Sequence, residues 1–269
     1  MPANSIPEPS DLPKKPLVEA IFQLQWSLQQ QGPLAADPGF PLFQGRYYDR
    51  IREKYPFAVP LPAAAVPEPM TAHTVRQQFR AGEKQWPVTQ IGPGILTVNE
   101  TTNYRWQTFL PLIRQAINAL FDAYPTDIAE LKPREAQLRY INAIDLAAGD
   151  TPKPLLVYLK ENLHTALAVE PLLFEDPEQA QRPDGLNITL VYQLINPEAV
   201  AAVTFTNGEV NGKPSLLFEI TVKTTPGKTP GSPDAFFVWL ESAHRIVDKW
   251  FFALTRGSLL EEFQKSDEN

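Results

Sequence analysis

Residues 18–26 place Val18, Ala20, Phe22, Leu24 and Trp26 in alternation with Glu19, Gln23 and Gln25. That is the period of a strand with one buried face. The pattern then changes. Phe43, Tyr47, Ile51 and Tyr55 recur every fourth residue, which predicts one face of a helix stopped by Pro56. Three short strands are expected at 74–80, 86–91 and 95–99, with Gly92-Pro93-Gly94 as the turn between the last two. Trp106, Leu110, Ile113, Ile117, Leu120 and Tyr124 then form a long helical stripe. Pro111 lies inside it and predicts a kink, or a start near Leu110.

The same order of elements is written a second time. A strand at 138–146 is followed by a helical pattern at 154–167 and a polar loop at 175–185. Strands at 186–195, 200–206 and 215–224 follow, the last two joined by the turn-rich residues 207–213. A final helix from about 235 to 263 is apolar over most of its circumference and so is expected to be buried on most sides, Trp239 and Trp250 included. Asp234 is the expected cap of that helix. The repeated order predicts an α+β fold of duplicated βαβββα units, whose strands form one curved antiparallel sheet packed against long helices. At the level of element order this is TATA-binding-protein-like or helix-grip-like, a likeness that carries no function. The divisions are a flexible arm at 1–15, a first half at 16–132 and a second half at 133–269.

Composition narrows the function classes. Charged residues are 20% and the formal net charge is −7, with Lys and Arg scattered, so binding to a phosphate backbone is disfavoured. There is no cysteine, which excludes disulfides, iron–sulfur clusters and thiolate zinc sites. Residues 1–15 are polar and proline-rich, unlike a signal peptide, and no run of about 18 apolar residues exists. A cytoplasmic protein outside the membrane is the expectation. The 28 prolines cluster between the periodic segments, where they stop helices and stiffen loops.

Candidate chemistry is sparse. No Walker loop, GxGxxG or GxSxG motif is present, and no cofactor is implied. Asn187-Ile188-Thr189 fits a glycosylation sequon but lacks the secretory context. The three histidines, His73, His164 and His244, have no second histidine within a helical turn, so no metal pair forms. His244, on the Trp-rich last helix, is a candidate base or ligand, or a hydrogen-bonded boundary residue. In Arg139-Tyr140-Ile141-Asn142, strand geometry turns Tyr140 and Asn142 to one side and Arg139 to the other. Buried Tyr140 and Asn142 need partners, which a ligand pocket or the neighbouring strand would supply. Glu19, between apolar neighbours on the first strand, is expected to pair with Arg139 near the centre of the sheet.

At Lys15-Pro16-Leu17-Val18-Glu19-Ala20-Ile21-Phe22, at Arg139-Tyr140-Ile141-Asn142 and at Ala243-His244, the chain resembles a sporadically distributed family of uncharacterised bacterial and archaeal proteins. Members share this length. The resemblance implies an accessory gene, such as one for defence or mobile-element functions, and brings no activity with it. Two readings follow. The first is a non-catalytic binding or assembly protein whose partner is another protein or a second copy of itself. The second is a small-molecule enzyme or sensor with a pocket between sheet and helices, using Arg139, Tyr140, Asn142, His244 and Glu19. A pocket enclosing Asn142 and His244 favours the second; a packed interior with an exposed apolar patch favours the first.

Overall fold

The computed structural model describes residues 9–32, 34–101, 103–146, 155–168 and 185–266. Strand β1 (Leu17–Trp26) leads into a small hairpin, β2 (Gln29–Gln31) and β3 (Leu34–Ala36), then helix α1 (Phe40–Ile51). Strands β4 (Phe57–Pro60), β5 (Gln77–Arg80), β6 (Val88–Gly92) and β7 (Ile95–Glu100) precede helix α2 (Trp106–Ala123). The rest of the chain supplies β8 (Pro133–Asp145), α3 (Leu155–Asn162), β9 (Asn187–Leu194), β10 (Ala199–Val210), β11 (Lys213–Thr224), α4 (Pro233–Thr255) and α5 (Ser258–Gln264).

Nine strands form one antiparallel sheet in the order β4-β5-β6-β7-β1-β8-β11-β10-β9. The opening strands β1 and β8 meet at its centre, Ile21 opposite Arg139 and Phe22 opposite Leu138. One face carries the core. Ala20, Phe22, Leu24 and Trp26 of β1, Leu138, Tyr140 and Asn142 of β8, and Phe218, Ile220 and Val222 of β11 are all buried there. Helices α2 and α4 lie on that face, with Phe109, Ile113 and Ile117 of α2 and Leu240, Ala243 and Val247 of α4 buried. Each such large apolar side chain contributes about 1.5–3 kcal/mol by leaving water. The opposite face is polar: Gln78, Gln90, Thr97, Gln23 and Gln137 fall in register across five strands.

Several expectations are refined. The strand expected at 138–146 begins five residues earlier, and the loop at 207–213 is strand down to a two-residue turn. Asn211 and Gly212 both have positive φ, 53° and 77°, as a type I′ hairpin turn demands. Helix α2 starts at Trp106 despite Pro111. The last helix breaks after Thr255, where Gly257 adopts φ 84° and ends it. Its N-cap is Ser232, without a side-chain bond, so Asp234 is not the cap. Of the two tryptophans expected to be buried, Trp239 is, whereas Trp250 is partly buried, packed against the rim of the core. From Pro9 on, the segment expected as a free arm is laid on the body: Leu12 is buried and the Lys14 N–H donates to the Phe263 carbonyl. The expected polar loop at 175–185 falls, but for Gly185, outside the described residues. No helix among the described residues is long and apolar enough to cross a membrane.

Candidate functional site

The alternation of β8 decides where the candidate residues go. Tyr140 and Asn142 share the core face, and the stripe Leu240, Ala243, His244, Val247 and Phe251 of α4 lies over them. The Tyr140 hydroxyl is 2.6 Å from the Tyr104 hydroxyl and 3.2 Å from His244 Nδ1. Asn142 Nδ2 donates to the Phe218 carbonyl at 3.4 Å. The His244 imidazole stacks on the Trp106 indole, ring centroids 3.9 Å apart and planes 18° apart. Its Nε2 lies 3.3 Å from Asp248 Oδ2 but is too poorly aligned to hydrogen-bond it. Burial therefore goes uncompensated and lowers the His244 pKa from 6.5 to about 3. At neutral pH the ring is uncharged.

The segment before β1 closes this cluster. Lys15 Nζ donates to the Tyr104 carbonyl at 3.2 Å. Its pKa is lowered by burial and by Arg105, with Glu100 acting in the opposite direction. Lys15, Tyr104, Tyr140, Asn142, His244 and Asp248 line a cavity of about 20 Å³. That is room for about one water, against the ~300 Å³ or more of a typical small-molecule pocket. The arrangement can relay a proton among two phenols and an imidazole. It does not admit a metabolite in this conformation.

Arg139 and Glu19 lie on the other face and apart from each other's side chains. The expected Glu19–Arg139 pair does not form. Arg139 Nη2 bonds Glu219 Oε2 at 2.6 Å across β8–β11, while Glu19 Oε1 accepts from Asn99 Nδ2 at 2.7 Å across β1–β7. The register explains this. Arg139 stands directly opposite Ile21, and Glu19 opposite Ile141, so each ionic side chain reaches diagonally to its outer neighbour. A groove of about 640 Å³ runs along this face past Arg139, Glu219, Thr221, Lys223, Thr204 and Val191. Thus Tyr140, Asn142 and His244 are brought together, and Arg139 and Glu19 are not among them.

Sequence reasoning missed three participants in the cavity, Tyr104, Lys15 and Asp248. Asp248 was detectable, since it follows His244 by four residues on a helix. It also missed Asp37, only 1% exposed. Asp37 accepts from Trp26 Nε1 at 2.9 Å, the Tyr124 hydroxyl at 2.6 Å, and the backbone N–H groups of Gly39 and Gly94. Asp37-Pro38-Gly39 is a turn triplet whose carboxylate bonds the chain two residues on, which was the available signal. The Tyr124 phenol is driven well above its ordinary pKa, first by burial and then by the bond to Asp37.

One edge of the sheet is finished and the other is open among the described residues. Strand β4 is short, follows Pro56 and ends in Pro60, two devices that blunt an edge. Strand β9, Asn-Ile-Thr-Leu-Val-Tyr-Gln-Leu, carries no charge and has no partner on its outer side among the described residues. Val191 is 61% exposed, Tyr192 46% and the following Ile195 95%. On the helix side, Tyr192, Val203, Trp250, Ala253 and Leu254 frame an apolar groove of about 290 Å³, with Tyr192 edge-on to Trp250.

Among the described residues no group of three or more His, Asp or Glu is placed to hold a metal ion. Scanned against protein-family models and curated protein sequences, the chain matches none.

Proposed function

We propose that this chain is a binding or assembly protein without catalytic activity of its own, engaging a polypeptide partner through the β9 edge. The open, uncharged edge beside an apolar groove is the observation that carries this reading. Unpaired strand N–H and C=O groups are a template for another strand, and apolar side chains next to them reward its arrival. The near-closed cavity at Tyr140 and His244 supports the same reading. Its polar groups hold β8, α4 and the 9–17 segment to one another.

The proposal extends to architecture: two βαβββα halves, 16–132 and 133–269, in a TATA-binding-protein-like or helix-grip-like arrangement. Support comes from register. A 120-residue offset carries Glu19 to Arg139 and Asn99 to Glu219, and turns the pair Ile21–Asn99 into Ile141–Glu219. The same offset replaces Ala20 and Phe22 by Tyr140 and Asn142, so the polar cluster belongs to the second half alone. The chain is read as cytoplasmic and, from its resemblance, as an accessory or defence-associated factor.

A second reading has its own observation, the convergence of Tyr140, Asn142, His244 and Lys15 on one cavity, as a sensor or enzyme for a small molecule would require. Native mass spectrometry of the protein purified from its native host separates the two. A retained polypeptide, another protein or a second copy, supports the first. A stoichiometric small-molecule adduct with no polypeptide overturns it and supports the second.

A further inference from the structure

The occupant of the β9 edge can be named. We infer that it is the β9 edge of a second copy of this chain, related by a two-fold axis normal to the sheet, so that two nine-stranded sheets join into one. The inference rests on the assembly reading and goes beyond it by identifying the partner.

Parity is the first argument. In an antiparallel pair, residues directly opposite one another point to the same face. A strand paired with its own copy therefore has its axis through a residue, not between two. With the axis at Val191, Val191 meets its copy and Thr189 meets Gln193 on the polar face. Leu190 then meets Tyr192 and Ile188 meets Leu194 on the helix face. Ile188, Leu190, Tyr192 and Leu194 stand opposite Phe205, Val203, Ala201 and Ala199 of β10, of which all four are buried core positions. From Ile188 to Leu194 each apolar residue is thus matched by an apolar one and each polar residue by a polar one, while Asn187, at the strand's end, meets Ile195. Self-pairing also brings the two grooves at Tyr192, Trp250 and Leu254 to face each other across the axis, as an isologous contact requires.

Charge is the second argument. The chain has a net charge of −7, so two copies repel over most of their surfaces. Residues 187–195 carry no ionisable group other than the Tyr192 phenol, so no like charges oppose each other there. Size is the third. Eight residues at about 3.4 Å each span ~27 Å. With a sheet and a helix layer together ~20 Å deep, the footprint is ~500 Å² per copy, or ~1,000 Å² in total, which is the lower bound for a biological interface. The chain already joins β1 to β8 edge to edge in this antiparallel manner.

The absence of cysteine makes the test clean. Sedimentation or light scattering of the full chain should give twice 30.2 kDa at micromolar concentration. Val191→Cys should form a disulfide-linked dimer under mild oxidation, whereas Val238→Cys, 71% exposed on α4, should not. Val191→Lys, at an exposed position, should stay folded, with a cooperative melt lowered only by the lost association, yet lower the dimer fraction at least tenfold. Mixing it with Val191→Glu should restore a dimer. A monomer at every concentration overturns the inference. So does a dimer that survives Val191→Lys without crosslinking at 191. If the parent is monomeric but a different polypeptide that it carries is lost on Val191→Lys, the second copy is wrong and the assembly reading stands. If no polypeptide of either kind binds, both fall.

Discussion

His244 offers a direct test of how firmly the interior is closed. Its side chain is 5% exposed, lies flat against Trp106 and has no hydrogen bond at Nε2, so a proton added there is a buried cation whose one nearby anion, the Asp248 carboxylate at 3.3 Å, is not aligned to bond it. Burial takes its pKa from 6.5 to about 3. The unfolded chain protonates the same ring at its ordinary value, so acid favours unfolding. The stability held by the neutral ring is complete above the unfolded pKa and is lost as the pH falls from there toward the folded one. Linkage over the interval from pH 7 to 5 gives about 2 kcal/mol. With an m-value of about 3 kcal/mol/M, that is a drop of ~0.7 M in the urea midpoint. His244→Asn keeps an acceptor near the Tyr140 hydroxyl and cannot titrate. Its baseline stability will be lower, but the His244-dependent fall between the two pH values should vanish. Glu68 and Glu100, whose carboxyls burial raises, work in the opposite sense and are common to both proteins, so they cancel in the difference. Parallel pH dependence of parent and variant would refute the claim that the ring is sealed from solvent.

Three further outcomes are expected. Asp37→Ala orphans four donors, at about 1–3 kcal/mol for each buried group, so it should lose at least ~4 kcal/mol or fail to fold; a thermal melt or soluble yield reads this. Arg139→Ala and Glu219→Ala should couple in a double-mutant cycle by about 0.5–1 kcal/mol, the pair being partly exposed, whereas Arg139→Ala and Glu19→Ala should add within ~0.5 kcal/mol because they share no contact. Trp239→Ala should cost about 3–5 kcal/mol, and Trp250→Ala, at the groove, clearly less by chemical denaturation.

Much of the architecture was legible along the chain because strand and helix periods are local. Val18 through Trp26 announces a one-faced strand in any context, and Gly92-Pro93-Gly94 announces a turn. The sides taken by Tyr140, Asn142 and Arg139 followed from alternation alone. Element ends were less legible. Asn207 through Val210 looks like turn sequence, yet it pairs with Lys213 through Leu216 because the hairpin needs only Asn211 and Gly212 for its positive φ.

Partners across the sheet were decided by register, which no local pattern encodes. A two-residue difference places Arg139 opposite Ile21 in place of Glu19 and leaves it to Glu219, and that offset is set by how β1 and β8 bury their apolar rows against the helices. The same holds for Asp37, whose four donors come from residues up to 87 positions away, and for the cavity that gathers Lys15, Tyr104 and Tyr140 from three separate segments. The β9 edge is the clearest case. Its sequence reads as an ordinary strand; only the strand order shows that nothing within the described chain lies beyond it. Local propensity specified the long strands and helices, and not the short strands β2, β3 and β4. The cooperative burial of their apolar faces specified neighbours, because that free energy belongs to contacts between distant segments and exists only once they meet.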